Sequence, residues 1–222
     1  MKQRAAIRLL QLLVTLGLVA TLAFAAKEYQ APRPLNAKSY PAHHEQPQEK
    51  VTVAADPYDT PAKGSIFALP YRDHGLLPVY LIITNDGDRP ISLIGFKAEM
   101  MTAAREKITA SDADDIRRRF TKVNSNPTAP SRVPLPLPRR LPKGSISREG
   151  LDEIDKAPFK ARAVEPHSTQ AGFVFFDVGD VDRPLAGANI YVSGLQDSSG
   201  QELIYFEIPL DKYREGASNP RD

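Results

Sequence analysis

Few side chains in this chain could do metal or covalent chemistry, and they fall into small groups. His43 and His44 are adjacent, with Glu45 and Glu49 just after them. An imidazole pair beside carboxylates is a ligand set for Cu2+ or Zn2+. In a proline-rich stretch with little apolar pattern the same residues read equally as a solvated linker. Asp177, Asp180 and Asp182 sit close together in FDVGDVDRP. Loop carboxylates suit Ca2+. Their spacing is not that of an EF-hand loop, and turn-forming aspartates account for the pattern as well. His74 and His167 fall in loops ahead of strands. The chain contains no cysteine, so thiolate metal sites, Cys nucleophiles and disulfides are excluded. It has no G-x-S-x-G elbow for acyl transfer. The expectation is therefore no catalytic residue, no cofactor and no metal. His43, His44, Asp177, Asp180 and Asp182 are the candidates for a secondary reading as a Ca- or Cu-handling envelope protein. A hydrolase with an unseen site is third.

The one charge asymmetry is basic. Arg117-Arg118-Arg119 precedes a stretch, 121–148, that holds Pro127, Pro130, Pro134, Pro136, Pro138 and Pro142 and no acidic residue up to Arg148. Those prolines forbid helix and central strand and favour polyproline II, which loses little entropy on binding. Arg117, Arg118, Arg119, Arg132, Arg139 and Arg140 are the candidate contacts with a partner. That partner is another envelope protein or an anionic surface polymer. A solvated loop explains the same charges.

The elements that would position these groups start with export. Lys2, Arg4 and Arg8 precede an apolar run from Leu9 to Phe24, and Ala23-Phe24-Ala25 has the small-x-small form of a cleavage site. Residues 1–25 read as a signal peptide. The alternative is an uncleaved anchor with the domain outside the cytoplasm. The full chain has 29 basic and 27 acidic residues, and the signal carries three of the basic ones, leaving 26 against 27. Global electrostatics then give no case for nucleic-acid binding.

Residues 26–49 read as a disordered tether and 213–222 as a disordered tail. Between them, 50–212 shows about seven short strands separated by turn signals, the pattern of an immunoglobulin-like β-sandwich. Val51 to Val53 alternates. Leu77 to Thr84 is a continuous β-branched and aromatic run. Asn85-Asp86-Gly87-Asp88 marks a tight reversal, with Ile91 to Met100 as the return strand. Gly172 to Val178 is a buried run and Asn189 to Leu195 alternates. Glu202 to Leu210 would place Ile204, Phe206, Ile208 and Leu210 on one face. A helix-and-proline insertion, 110–158, lies between the strand groups. One helix is capped by Ser111, with Ile116 and Phe120 on one face. A second, near Arg148 to Ala157, is capped by Ser147.

The run LPVYLIITNDGDRPISL, followed much later by AVEPHSTQAGFVFFDV, resembles exported bacterial proteins of unknown function with an immunoglobulin-like fold. Its order of strand, Asn-Asp-Gly turn, proline and strand is also similar to the sandwich of type-2 late-embryogenesis-abundant proteins. The resemblance implies a fold and no activity. The expected function is a non-catalytic exported binding module of the cell envelope, using its sheet edges and the basic Pro-rich loop.

Overall fold

The computed structural model describes residues 29–121, 146–211 and 213. Residues 1–28, which include the expected signal segment, residues 122–145 with Arg132, Arg139 and Arg140, residue 212 and residues 214–222 lie outside them. In chain order the elements are β1 (His43–Gln46), β2 (Val51–Pro57), α1 (Pro61–Gly64), β3 (Leu76–Asn85), β4 (Ile91–Ser92), β5 (Lys97–Met101) and β6 (Lys107–Thr109). Then follow α2 (Ala113–Thr121), α3 (Arg148–Lys156), β7 (Ala163–Val164), β8 (Ser168–Asp177), β9 (Asn189–Ser193) and β10 (Phe206–Pro209). Two four-stranded antiparallel sheets, ordered β1-β2-β3-β8 and β10-β9-β5-β6, form a β-sandwich, and β4 pairs with β7 alongside.

The period of two divides the residues of β3 between two cores. Leu77, Val79, Leu81 and Ile83 point between the sheets, where they meet Val53, Met100, Ile190, Val192 and Phe206. Leu76, Tyr80 and Ile82 point the other way, into a second apolar layer with Tyr71, Ile116, Phe120, Ile154 and Phe173. All ten residues of β3 are buried. A strand covered on both faces has no need of polar alternation, which is why its sequence reads as a continuous apolar run.

The insertion supplies the helical part of the second layer. Both helices present buried residues at helical spacing: Ile116 and Phe120 on α2, Gly150 and Ile154 on α3, with Ala157 just past its end. Asp112 caps α2, its carboxylate accepting the Asp115 N–H at 2.7 Å. Ser111, expected as the cap, instead sends its N–H to the Phe175 carbonyl on the β8 edge. Ser147 caps α3 as its position predicts, accepting the Gly150 N–H at 3.0 Å. At Gly150 a Cβ would stand 2.7 Å from Leu69 Cδ2, so glycine allows the helix its close approach.

Four sequence expectations are corrected. Residues 29–49 are part of the fold. Tyr29 and Ala37 are buried, the Ala37 N–H reaches Thr84 Oγ1 at 2.9 Å, Tyr80 donates to the Pro32 carbonyl at 2.6 Å, and β1 pairs with β2. Hydrogen bonds to β3 side chains fix this arm, so it shows little apolar periodicity. The reversal after Asn85 makes no hairpin with β3. Both edges of β3 are taken by β2 and β8, so the chain crosses over: β4 joins β7 and β5 joins β9. The last strand covers 206–209 instead of 202–210. Leu203 and Phe206, an odd number apart, are both buried, so Ile204 and Tyr205 bulge outward and Ile204 is 76% exposed. Tyr213, placed in the tail by its sequence, is buried and donates to Asp59 at 2.8 Å.

No helix among the described residues is long and apolar enough to cross a membrane.

Candidate functional site

The expected metal candidates do not converge. His43 and His44 are successive residues of one strand, so their rings point to opposite faces. The His43 Nδ1–H donates to the Tyr40 carbonyl at 2.6 Å. His44 Nδ1 accepts the Glu207 N–H at 2.9 Å, using a nitrogen a metal would need. Asp177 pairs with Arg119 and accepts the Gly179 N–H at 3.3 Å, and Asp182 lies 3.6 Å from its neighbour Arg183. Among the described residues no three His, Asp or Glu side chains are placed to hold a metal ion.

The three arginines are tied to the fold. Arg117 bridges Asp114, at 3.0 Å, and Asp155 on α3. Arg118 pairs with Asp115. Arg119 reaches the His74 carbonyl at 2.9 Å and the Asp177 carboxylate. Such surface pairs contribute about 0–1 kcal/mol each. Burying Ile116, Phe120 and Ile154 contributes roughly 1.5–3 kcal/mol per side chain, so the apolar layer holds the helices and the arginines set their register. The sheet edge at β8 is also occupied. Ala110 and Pro158 bridge to it, and the Ser111, Phe159 and Phe173 N–H groups close hydrogen bonds along it.

The surface left open is the outer face of β10-β9-β5-β6. The alternation that sends Ala98, Met100, Ile190, Val192, Phe206 and Ile208 inward sends their neighbours outward. Register aligns Glu99, Tyr191 and Glu207 in one row, and Met101, Asn189 and Pro209 in the next. Glu207 Oε1 accepts from the Tyr191 hydroxyl at 2.7 Å and from Asn189 Nδ2 at 2.8 Å. That hydrogen bond to a carboxylate holds the Tyr191 pKa above its ordinary value. The Tyr191 and Tyr205 rings lie 5.7 Å apart at 46°, and Tyr205 is 53% exposed. Lys107 pairs with Glu99 at 2.7 Å. Shallow recesses flank Asn189: one of about 470 Å3 beside Met101 and Arg105, one of about 500 Å3 beside His44 and Glu45.

Met101, Asn189, Tyr191, Tyr205 and Glu207 were not singled out as site residues by sequence reasoning. The signal was in the alternation itself. The polar and aromatic set opposite the buried set of β5 and β9 is legible once those strands are known to lie in an outer sheet. These groups can stack, accept and donate.

The fold and its open face define a β-sandwich with one sheet backed by helices. The chain matches no protein-family model, no curated protein and no solved structure.

Proposed function

We propose that the chain is a non-catalytic exported module of the cell envelope that binds another protein through the outer face of β10-β9-β5-β6. One observation carries this reading. β2, β3 and β8 of the first sheet bear an apolar layer on both faces, while the second sheet bears one. The uncovered face carries Tyr191, Tyr205 and Met101, ringed by Lys97, Glu99, Lys107 and Glu207. Aromatic and methionine residues inside a polar rim are the composition of a protein interface. Two lysines balance two glutamates there, and Arg117, Arg118 and Arg119 are already paired. This favours a protein over an anionic polymer as the partner.

The immunoglobulin-like reading is supported by strand order. β2, β3 and β8 on one sheet and β5, β9 and β10 on the other follow the A, B, E and C, F, G arrangement. Here β6 lies beside β5, and bridges from Ala110 and Pro158 occupy the β8 edge where strand D would stand. Export rests on the basic, apolar and small-residue order of residues 1–25, with membrane attachment only through an uncleaved anchor.

The test is cross-linking in intact cells with a tagged full chain, comparing wild type, a Met101→Lys/Tyr205→Ala variant and a Leu35→Lys control. Loss of one reproducible cross-linked protein by about tenfold or more in the face variant alone, with unchanged melting, supports the reading. Equal recovery from all three rules out this face. A chain that external protease cannot reach in cells with a permeabilised outer layer rules out export.

A further inference from the structure

Among the described residues, Glu153 is the one Asp, Glu, Lys, Arg or His that is fully buried. It sits on the inner side of α3, under the irregular stretch Ile66–Pro70. Its Oε2 accepts the Ala68 N–H at 2.6 Å and its Oε1 the Leu69 N–H at 3.3 Å. That stretch belongs to no sheet, so the carboxyl group supplies hydrogen bonds a ladder would otherwise give. Two further hydroxyls complete the surroundings. Tyr71, 2% exposed, turns its hydroxyl to the Glu153 carboxyl group, and Tyr29, 8% exposed, has a hydroxyl group with no hydrogen-bond partner. Both have pKa values pushed far up, first by burial and then by the nearby Glu153 charge.

Among the described residues no cation acts on this carboxyl group. On its own helix Lys156 pairs with Asp152 at 2.9 Å, and Asp155 faces Arg117 of α2. Also on α2, Arg118 and Arg119 are held by Asp115 and Asp177. The titratable neighbours from the arm and from the segment before β3 are Tyr29 and Tyr71. An isolated buried carboxylate is costly unless it is paired or neutralised. A carboxylic acid, by contrast, keeps an acceptor for Ala68 and gains an O–H that the Tyr71 oxygen can accept.

We propose that Glu153 is a pH-sensitive latch: as the neutral acid, its O–H directed to the Tyr71 hydroxyl, it docks α3 and Ile66–Pro70 on the sheet, and loss of that proton to solvent loosens both. Burial pushes the Glu153 pKa up, against the Ala68 N–H, the Tyr71 hydroxyl and the Leu69 N–H, which pull it down. The docked state therefore binds the proton more tightly than the open one. Docking is strongest below the ordinary glutamate pKa and weakens as pH rises through the raised value.

Hydrogen exchange of the full mature chain across acidic to neutral pH, corrected for intrinsic rates, reads this directly. Amides of 66–69 and 148–157 lose protection with rising pH, by up to about tenfold per unit for one proton, while β3 and β8 do not. Glu153→Gln keeps a neutral acceptor and donor, and its protection is flat with pH. Protection that is flat in the wild type, or equally pH-dependent in Glu153→Gln, overturns the latch. A carboxyl-carbon NMR titration of the wild type needs no variant: a Glu153 titration at or below the ordinary glutamate range overturns it as well.

Discussion

His44 Nδ1 accepts the backbone N–H of Glu207 at 2.9 Å, joining β1 of one sheet to β10 of the other without a β ladder. Gln46 repeats the device two residues on, its amide donating to the Ile204 carbonyl at 2.7 Å. The sandwich is thus sealed along this seam by side chains, which occupy edge groups that a foreign strand would otherwise pair. His44→Ala leaves the Glu207 N–H without its partner and removes the ring packed edge-on to Phe206 at 5.8 Å. The expected loss is about 1–2 kcal/mol in denaturant unfolding. A measured change below about 0.3 kcal/mol would show that water replaces the imidazole.

Lys63 fastens the end of the described chain. Its ammonium pairs with Asp56, donates to the Pro57 carbonyl at 3.2 Å and lies 4.5 Å from the Tyr213 ring centre and 5.3 Å from that of Tyr58. Burial raises the Asp56 pKa and outweighs the pull of Lys63 downward. Lys63→Ala removes that pull, so the folded-state pKa of Asp56 rises further. The expected cost at neutral pH is about 1–3 kcal/mol, less than for a fully enclosed pair because the ammonium is partly exposed. With the folded pKa raised, the folded state binds the proton more tightly than the unfolded one. The variant therefore loses stability as pH rises from the ordinary aspartate range. The gap to wild type narrows on acidification, where Asp56 is protonated in both states. A gap that widens in acid would contradict this assignment.

The bulge before β10 separates two isoleucine and phenylalanine positions that strict alternation would make equivalent. Ile204→Thr is expected to change stability by less than about 0.5 kcal/mol, since the side chain is 76% exposed. Phe206→Ala opens a cavity in the inter-sheet core and is expected to cost about 3–5 kcal/mol. Paired urea titrations check both. A large loss at Ile204 would restore the uninterrupted strand 202–210.

Most strands and both longer helices were legible because their signals are local: β-branched runs, capping residues, apolar spacing on α2 and α3. What escaped were features fixed at a distance. The arm at 29–49 is held by Thr84, Tyr80 and β2, and nothing in its own composition announces them. The reversal at Asn85 is a real turn, the Gly87 N–H reaching Asn85 Oδ1 at 2.9 Å. Its amide, however, also donates to the Val164 carbonyl at 3.1 Å, and that tertiary contact steers the chain out of a hairpin. Two of the acids that hold the arginines, Asp155 for Arg117 and Asp177 for Arg119, lie far along the sequence, while Asp114 and Asp115 are close by on α2. The open face was concealed for a related reason. Alternation separates two faces of a strand, but only the stacking of layers decides which faces remain wet.

β3 belongs to both cores, and its register joins Leu76 to Asp177 and Asn85 to Ser168. Its most apolar neighbour in the sheet is therefore synthesised long after it. Closing so distant a pair places much of the loop entropy before the rewarding contacts, which slows folding. Until β8 arrives, a ten-residue apolar strand has one open edge and two bare faces, an invitation to pair with another chain. Export in the unfolded state, as proposed, would carry this hazard to the chain's destination.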